Sequence, residues 1–449
     1  AESHSRAFVI EVMGRHCGWL GLMSGICCGA DFIFIPERPA SSKTWKSDLK
    51  EVCLRHRKKG RRKTTVIVAE GAIDDELNPI TSDDVKDVLV EIGLDTRVTT
   101  LGHVQRGGTA VAYDRFLATL QGVEAVKAVL DSTISTPSPM IGTLNNKIVR
   151  TPLVEAVKMT KAVAKAIDSK RFDDAMGLRD STFKESFKNF LSISTDDDNQ
   201  SLLLPKDERL KIGIIHVGAP TAALNPATRA AVLYLLSKGH TPYGILNGFH
   251  GLIKTGEIKE LSWIDVEGWH NAGGSALGTN RHLPSDDMGT LAYHLQDSRL
   301  DGLIVIGGFE AFQAVNELNE ARSMYPILKM PIVCLPSTVS NNVPGTEYSL
   351  GSDTCLNTLV DYCDVVKLSA SSSRRRVFVI EVQGGNCGYI SSYTGLVTGA
   401  LSVYLPEEKV SLSNIQEDLK LLDKSYMDDI GAERSGKVFI RNEKASAVY

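Results

Sequence analysis

The stretch Arg6 to Glu37, RAFVIEVMGRHCGWLGLMSGICCGADFIFIPE, occurs twice in the chain. The second copy, Arg376 to Glu407, reads RVFVIEVQGGNCGYISSYTGLVTGALSVYLPE, and 14 of 32 aligned positions are identical without a gap. A match of this length indicates two versions of one structural unit. The copies differ where Met13-Gly14-Arg15 is replaced by Gln383-Gly384-Gly385, so only the first copy carries a guanidinium at this turn.

Each copy is predicted to fold as strand, turn, helix and strand. Ala7 to Val12 is an almost unbroken apolar run, which is typical of a buried parallel strand. A turn at Met13 to Gly18 leads to a predicted helix over Trp19 to Cys28, and a second strand follows at Phe32 to Ile35. Open α/β sheets bind ligands at the carboxyl ends of their parallel strands. We therefore expect Arg15 at the rim of a binding site.

The composition is that of a soluble globular protein without strong charge. The 449 residues suggest about three domains at about 150 residues each. With 50 Lys and Arg against 54 Asp and Glu, the formal net charge of −4 gives no general attraction to nucleic acid or anionic membranes. We identify no apolar run long enough to span a membrane and no signal peptide, and we expect neither a nucleic-acid nor a membrane partner.

The eight cysteines show no zinc-type spacing with histidine. Because most lie in apolar surroundings, they are predicted to be reduced, buried thiols of an intracellular, cytoplasmic protein. The sequence starts at Ala1, five residues before a core strand, and stops at Tyr449, shortly after another strand. We interpret it as a piece of a longer protein, truncated at both ends.

A basic stretch, RHRKKGRRK at residues 55–63, carries seven Lys and Arg. One interpretation is a solvated helix end, where cations are favourable. A second is contact with nucleic acid or the nuclear-import machinery, although short basic matches are non-specific. A third is a pocket for the phosphates of an effector.

Alternating strand and helix patterns run through the chain and predict an α/β protein of two tandem duplicated halves. We expect doubly wound, mostly parallel sheets with helices on both faces. The predicted division is residues 1–150, a helical connector and linker at 151–209, and residues 210–449. A helix from Ala112 to Leu130 is predicted to complete the first unit, two helices follow at about 152–169 and 171–193, and the acidic segment STDDDNQS marks a boundary near residues 194–206.

The first half gathers anion-binding residue types at predicted strand ends and turns. Arginine binds phosphate through two parallel hydrogen bonds, and glycines beside Arg106 allow backbone N–H groups to approach an anion. A carboxylate such as Glu70 suits sugar hydroxyls. The collection therefore predicts a sugar-phosphate site and comprises Arg6, Arg15, Glu70, Arg97, His103 and Arg106.

EVMGRHCG at residues 11–18 together with TTLGHVQRGG at residues 99–108 resembles the 6-phosphofructokinase family. The resemblance covers both halves, and the tandem layout resembles the large eukaryotic, fungal-like ATP-dependent form. It implies a fructose 6-phosphate site made of Arg6, Met13, Gly14, Arg15, Glu70, Arg97, His103, Val104, Gln105 and Arg106. It further implies that Arg6 and Arg97 reach a neighbouring subunit's substrate, that His103 and Arg106 hold the 6-phosphate, and that Arg15 is catalytic.

In the second half, the family's catalytic motifs are altered. The metal-binding GGDG-type loop is Gly307-Gly308-Phe309-Glu310, and the TIDND motif that carries the general base is Thr338-Val339-Ser340-Asn341-Asn342. Phe309 cannot bind a hard cation, and Ser340 is no base near neutral pH. The resemblance therefore implies a site that binds fructose 2,6-bisphosphate without turnover. Its residues would be Arg281, Thr338, Val339, Ser340, Asn341, Asn342, Arg376, Gln383, Gly384, Gly385 and Glu443.

The first half's own GGDG and TIDND motifs would precede Ala1, so the ATP and Mg²⁺ sites are expected mostly outside this chain, which would itself hold no metal. The resemblance implies transfer of a phosphoryl group from ATP to O1 of fructose 6-phosphate in glycolysis. It also implies allosteric activation and assembly with homologous subunits into a homo- or hetero-oligomer, a tetramer or larger. Two alternatives stay open, a pyrophosphate-dependent relative and a non-catalytic regulatory subunit that binds sugar phosphates.

Overall fold

The computed structural model describes residues 4–194, 203–373, 376–428 and 436–445. The first sheet consists of β1 (Ala7–Val12), β2 (Phe32–Phe34), β3 (Thr64–Ala69) and β4 (Thr96–Thr100). Its strands are parallel and lie in the order β2-β3-β1-β4. The connecting helices are α1 (Trp19–Cys27), α2 (Trp45–Lys58) and α3 (Ser82–Glu91).

Strand β3 shows how this sheet is covered on both faces. Val66 and Val68 point to one face, where they pack with Leu49 of α2. Ile67 points to the other face and packs with Leu22 of α1. Successive side chains of a strand alternate between faces, so an all-apolar strand requires helices on both sides. The predicted two-sided α/β layout is confirmed.

Helix α4 (Ala112–Asp131) is followed by a hairpin of β5 (Pro139–Leu144) and β6 (Lys147–Pro152), which the sequence analysis did not predict. Three helices come next, α5 (Leu153–Asp168), α6 (Phe172–Leu178) and α7 (Ser181–Ser194). The single helix predicted over 171–193 is therefore wrong. The chain breaks where the Asp180 carboxylate accepts a hydrogen bond from the backbone N–H of Thr182, which favours the start of a new helix. Within the predicted linker at 194–206, residues 195–202 lie outside the described residues.

The second half opens with a five-stranded sheet. Its strands are β7 (Lys211–Val217), β8 (Thr241–Ile245), β9 (Ile258–Glu260), β10 (Gly302–Gly307) and β11 (Ile332–Pro336), in the order β11-β10-β7-β8-β9. All pairings are parallel except that of β9 with β8. The associated helices are α8 (Leu224–Lys238), α9 (Gly248–Thr255), α10 (Met288–Asp297) and α11 (Phe309–Glu320).

The internal repeat is confirmed by the last sheet. After α12 (Ser352–Ser372) come β12 (Val377–Val382), α13 (Tyr389–Thr398), β13 (Ser402–Tyr404), α14 (Leu412–Asp428) and β14 (Lys437–Asn442). These strands are parallel and lie in the order β12-β14-β13, which matches β1-β3-β2 of the first sheet. The two copies of the repeated sequence thus form the same strand–helix–strand unit, with the following strand inserted between its two strands.

Helix α4 does not complete the first unit, contrary to the prediction. It packs against α12 and α13 of the second half, and Ala112 belongs to a core cluster with Leu356, Val360 and Ile390. The reason is that the apolar start of α4 finds its apolar partners on those two helices. The division at residues 1–150, 151–209 and 210–449 remains a prediction.

All eight cysteines lie among the described residues as free thiols, but burial differs among them. Cys53 and Cys363 are buried, whereas Cys27 is exposed on α1, so the prediction of buried thiols is wrong for Cys27. In the described part of the chain, no helix is long and apolar enough to cross a membrane.

Candidate functional site

The central strand order of the first sheet brings three predicted segments together. Because β1 lies between β3 and β4, the residues that follow these three strands share one edge of the sheet. Met13 to Arg15 follow β1, Glu70 follows β3, and a 3₁₀ turn over Gly102–Arg106 follows β4. The structure therefore brings together most of the predicted sugar-phosphate residues.

Arg15 and Glu70 form an ion pair at this edge. The Nε and Nη2 atoms of Arg15 donate to Oε1 of Glu70 at 3.3 and 3.0 Å. The Arg15 side chain is 74% exposed, so the guanidinium faces solvent at the carboxyl edge of the sheet. An exposed pair of this kind contributes at most about 1 kcal/mol to stability, and its donors can readily turn to a ligand.

Gln105 connects two of the turns. Its Oε1 atom accepts a hydrogen bond from the backbone N–H of Met13 at 3.0 Å, and its Nε2 atom donates to the carbonyl oxygen of Gly102 at 3.2 Å. The Gln105 amide therefore holds the two turns together within the site and does not project from it. His103, Val104 and Arg106 are exposed. Within the described residues, the side chains of His103 and Arg106 have no hydrogen-bond or ion-pair partner, which leaves both able to bind an anion.

Gly71 supports the site and was missed by sequence reasoning. A Cβ atom at this position would lie 2.0 Å from the carbonyl oxygen of Arg15, so only glycine allows the two turns to approach this closely. The available signal was a glycine directly after the glutamate that ends a buried strand.

A buried carboxylate holds the turn that carries Arg15. Glu37 accepts hydrogen bonds from the backbone N–H of Gly18 at 2.9 and 3.1 Å and from Nε of Arg179 at 3.0 Å. Arg179 also donates to the carbonyl oxygen of His16 at 2.8 Å. Arg179 comes from the break between α6 and α7, and its role was not predicted. In the second copy, Glu407 accepts the equivalent bond from Gly388 at 2.7 Å.

Arg6 and Arg97 lie at the opposite edge of the sheet. Both bind Asp95, with Arg6 Nε 2.7 Å from Oδ2 and Arg97 Nη2 3.5 Å from Oδ1. The hydrogen bond from Arg6 lowers the pKa of Asp95. A six-residue strand separates Arg6 from the Met13 turn, which is about 20 Å at about 3.3 Å per residue. One chain therefore does not bring Arg6 and Arg97 to Arg15, and their service to a neighbouring subunit stays a prediction.

In the second half, the candidate effector residues lie on two sheets. Glu310 follows β10 and contacts Arg281, with Oε1 and Nε 3.4 Å apart. Thr338 to Asn342 follow the neighbouring strand β11, and Ser340 donates its backbone N–H to Oγ1 of Thr338 at 3.3 Å. Phe309 is 69% exposed at this edge. Val339 packs into the core of the last sheet with Val382, which brings this loop beside the end of β12.

The turn Gln383 to Gly385 is hydrogen-bonded to the side chain of Glu443. The backbone N–H groups of Gly384 and Gly385 donate to Oε1 of Glu443 at 3.3 and 3.0 Å. Gly385 has φ +57°, a left-handed conformation that an L-residue adopts only with strain. Arg376 lies at the amino end of β12, over the ring of Phe378, and within one chain it is separated from this turn.

The basic stretch divides into two parts. Helix α2 ends within it, at Lys58, and Lys58 and Arg62 are exposed, as a solvated helix end predicts, whereas Arg61 is a buried structural residue. Contact with nucleic acid stays a prediction. Arg61 is only 3% exposed and donates to Oδ1 of Asp31 at 2.6 Å and to the carbonyl oxygen of Gly29 at 2.7 Å. His56 lies 2.5 Å from the same carboxylate oxygen. Burial alone would raise the pKa of Asp31, but the adjoining Arg61 guanidinium and the His56 hydrogen bond bring the pKa below its ordinary value.

The same cluster joins the two halves. The Nε atom of Arg61 lies 3.2 Å from Oε1 of Glu267, and Lys63 Nζ lies 3.5 Å from that oxygen. Arg61 is therefore engaged with Asp31 and Glu267, and the third interpretation, a pocket for effector phosphates in this stretch, stays a prediction. Among the described residues, no group of three or more His, Cys, Asp or Glu could hold a metal ion.

Comparison with known proteins identifies one matching family. The family described as Phosphofructokinase matches residues 1–129 and 211–448. The "ATP-dependent 6-phosphofructokinase subunit alpha" of Komagataella pastoris is 68% identical over 449 residues, which is 100% of this chain and 45% of that protein. The subunit beta of Candida albicans is 55% identical over 450 residues, covering 100% of this chain and 48% of that protein.

A solved structure of phosphofructokinase from Saccharomyces cerevisiae superposes with a TM-score of 0.98 at 64% identity, covering 100% of this chain and 60% of that one. The chain therefore spans about half the length of the curated relatives it matches.

Proposed function

Because the chain belongs to the phosphofructokinase family, we propose that it is part of an ATP-dependent 6-phosphofructokinase of the fungal type. The full-length protein transfers a phosphoryl group from ATP to O1 of fructose 6-phosphate and yields fructose 1,6-bisphosphate in glycolysis. The observation that carries this proposal is the assembly of Arg15, Glu70 and the Gly102–Arg106 turn at one carboxyl edge of the first sheet.

The fructose 6-phosphate site is assigned to this edge. The side chains of His103 and Arg106, which have no hydrogen-bond or ion-pair partner in the described part of the chain, bind the 6-phosphate, because charged donors form strong hydrogen bonds with phosphate oxygens. Glu70 accepts from sugar hydroxyls, and the backbone of Met13 and Gly14 lines the sugar. Val104 and Gln105 complete the turn. Arg6 and Arg97 act in a neighbouring subunit's site.

Arg15 is the proposed catalytic residue on this chain. Its exposed guanidinium offsets the negative charge that develops on the phosphoryl group during transfer. Mg²⁺ serves the phosphates of ATP in such reactions, but the described residues do not fit a metal site. Phe309 stands where the family's metal-binding aspartate would, and Ser340 where its base would. We therefore assign no metal-dependent step and no base to this chain, and both belong to other parts of the full-length protein.

The second half is proposed as a regulatory site for fructose 2,6-bisphosphate. The residue types that hold phosphate and sugar hydroxyls are retained, whereas those for turnover are not. The binding residues are Arg281, Thr338, Val339, Ser340, Asn341, Asn342, Gln383, Gly384, Gly385 and Glu443, with Arg376 supplied by a second subunit because β12 separates it from the others within one chain.

The proposed partners are homologous subunits. Relatives named subunit alpha and subunit beta support a hetero-oligomer, and we propose a tetramer or larger assembly in the cytoplasm. The word "ATP-dependent" in the names of these relatives favours ATP over pyrophosphate. The retained Arg15 favours an enzyme over a purely regulatory subunit, since a binding site without turnover has no need of a transition-state charge.

The test is turnover by the full-length protein with ATP or with pyrophosphate. We expect fructose 1,6-bisphosphate formation with ATP only, and Arg15→Ala should reduce kcat by about 10²–10³-fold, the usual loss for one charge-stabilising donor. Arg38→Ala, which removes an exposed ion pair with Asp173, is the matched control and should leave kcat unchanged. Turnover with pyrophosphate would support that alternative, and sugar-phosphate binding without turnover would support the regulatory one.

A further inference from the structure

Two helices connect the candidate substrate site of the first half to the candidate effector site of the second. Helix α4 begins six residues after Arg106, and α12 begins ten residues after Asn342. The two helices pack against each other, and α4 also packs against α13. Each helix therefore carries one candidate site at its amino-terminal end, and the helices meet across the boundary between the halves.

Arg115 on α4 is the centre of this contact. Its Nη2 and Nη1 atoms donate to the two carboxylate oxygens of Asp364 on α12 at 2.6 and 3.1 Å. Its Nε atom donates to the carbonyl oxygen of Ala110 at 2.8 Å. Ala110 belongs to the short segment between the Gly102–Arg106 turn and α4. The Arg115 side chain, which is only 18% exposed, therefore joins the segment that contains Ala110 to α12.

Further contacts fix the start of α4. The backbone N–H of Ala112 donates to Oδ1 of Asn357 on α12 at 3.0 Å. The ring of Phe116 lies 4.5 Å from that of Tyr393, which lies 4.4 Å from that of Tyr389. Tyr389 also contacts Tyr348, at 6.4 Å between ring centroids. Tyr348 belongs to the loop that follows β11, so the aromatic series reaches the effector side as well.

On that side, α12 is bonded to the loop itself. Oγ of Ser352, the first residue of α12, donates to the carbonyl oxygen of Thr338 at 2.8 Å. The backbone N–H of Ser349 donates to Oδ1 of Asn341 at 2.7 Å, and Asn341 has a positive φ of +49°. A ligand that displaces residues 338–342 therefore acts directly on the start of α12.

We propose that Arg115 and Asp364 are positioning residues that transmit occupancy of the Thr338–Asn342 loop to the Gly102–Arg106 turn. The inference rests on the proposed function, since it requires an effector at the Thr338–Asn342 loop and a substrate at the Gly102–Arg106 turn. A ligand at the loop favours one arrangement of α12, and the bidentate pair carries that arrangement to α4 and to Ala110. Such a coupling is measurable as a change in one ligand's affinity when the other is bound.

The experiment uses the full-length protein with Asp364→Ala, Arg115→Ala and the double variant. For each, the KM for fructose 6-phosphate is measured with and without fructose 2,6-bisphosphate, and effector binding is measured directly by calorimetry. We expect the unactivated KM and the effector Kd to stay within about twofold of wild type. The activation ratio should fall at least about fivefold, the lower end of typical coupling. The double variant should lose no more than either single variant, because both remove the same contact.

The control variant is Glu91→Ala, which removes a 2.6 Å ion pair with Lys50 inside the first unit and should leave the activation ratio unchanged. Asp364→Asn, of equal size, is the second variant if Asp364→Ala lowers the melting temperature. An unchanged activation ratio in the Asp364 variants overturns the proposal, as does a raised unactivated KM with the ratio preserved. Absence of effector binding to the wild-type protein would instead refute the proposed effector site itself.

Discussion

The guanidinium of Arg15 and the carboxylate of Glu70 meet through a single oxygen, Oε1, at 3.0 and 3.3 Å. In the repeated unit, Oε1 of Glu443 accepts two hydrogen bonds in the same way, but from the backbone N–H groups of Gly384 and Gly385. A carboxylate therefore follows both β3 and β14, as Glu70 and Glu443. The cationic partner is present only in the first copy, because Gly385 takes the position of Arg15. The turn of the second copy is held closed without a side chain that could stabilise a transferring phosphoryl group.

Arg106→Ala in the full-length protein should raise the KM for fructose 6-phosphate. Loss of one hydrogen bond from a charged group costs about 1.5–3 kcal/mol, which is about ten- to a hundredfold in affinity. Steady-state kinetics of the variant measure this directly. Arg38→Ala is the control, and an unchanged KM in the Arg106 variant would remove this residue from the site.

Gly71→Ala should reduce catalysis by displacing the turn of Arg15, without removing a residue that is assigned to substrate binding. The added Cβ would lie 2.0 Å from the carbonyl oxygen of Arg15, so the turn must shift. A misplacement of about 1 Å can reduce catalysis about a hundredfold, and we expect kcat to fall more than KM rises. Gly177→Ala meets open space and serves as the control. Equal kinetics for both variants would contradict the assigned role of Gly71.

Asp31→Ala should destabilise the protein strongly. It removes the carboxylate to which the buried Arg61 guanidinium donates at 2.6 Å and leaves that charge with its longer contact to Glu267 at 3.2 Å, and breaking a buried pair in this way typically costs about 3–5 kcal/mol. Urea denaturation of the wild type and the variant at neutral pH gives the difference in unfolding free energy. The double variant Asp31→Leu, Arg61→Met should lose less, because the buried guanidinium is removed together with the Asp31 carboxylate, while Glu267 keeps its contact with Lys63.

The Asp31–Arg61 pair predicts that the free energy of unfolding depends on pH. Since the folded-state pKa of Asp31 lies below its ordinary value, the ionised carboxylate stabilises the fold above pH of about 4. That contribution is lost as the pH falls through the folded-state pKa. The stability difference between wild type and Asp31→Ala should therefore narrow on acidification, and a difference that is constant down to pH of about 2 would contradict this assignment.

Arg97 should serve another subunit. Within one chain, β4 places Arg97 about 16 Å from the turn that begins at Gly102, at about 3.3 Å per residue. In a structure of the assembled protein, its guanidinium should lie nearer to His103 of the partner subunit than to its own His103. An Arg97 that turns into its own subunit's pocket would refute this arrangement.

Local patterns made much of the fold predictable. The repeat around Arg15 and Gly385 predicted the matching strand–helix–strand units, because strand apolarity and turn glycines act over a few residues.

Long-range contacts were not predictable in the same way. For residues 55–63 the sequence left a solvated helix end, nucleic-acid contact and a phosphate pocket open, since nothing in that stretch reveals that Asp31 and Glu267 lie beside Arg61. Helix α4 was placed in the first unit because its neighbours in sequence belong there. Its actual partners, Asn357 and Asp364, are more than two hundred residues away.

Substitution of Ser340 by Asp in the full-length protein should not restore turnover in the second half. Phe309 still stands at the position of a metal-binding aspartate, and Gly385 at that of Arg15. Adding Gly385→Arg would not repair the turn, because a non-glycine residue at φ +57° costs about 1–2 kcal/mol and Glu443 already occupies the backbone N–H groups.

The Ser340→Asp variant should instead weaken activation by fructose 2,6-bisphosphate. A carboxylate at residue 340 would repel the phosphate of the effector, whereas the first half keeps its own residues and its unactivated kcat. Arg376→Ala should weaken activation too, because a cation that binds phosphate is removed. Activation measured over a range of effector concentrations distinguishes a raised Kd for the effector from a lower maximal activation. Since a ligand shifts an equilibrium only through its different affinity for the two states, undiminished activation in both variants would mean that the effector binds elsewhere.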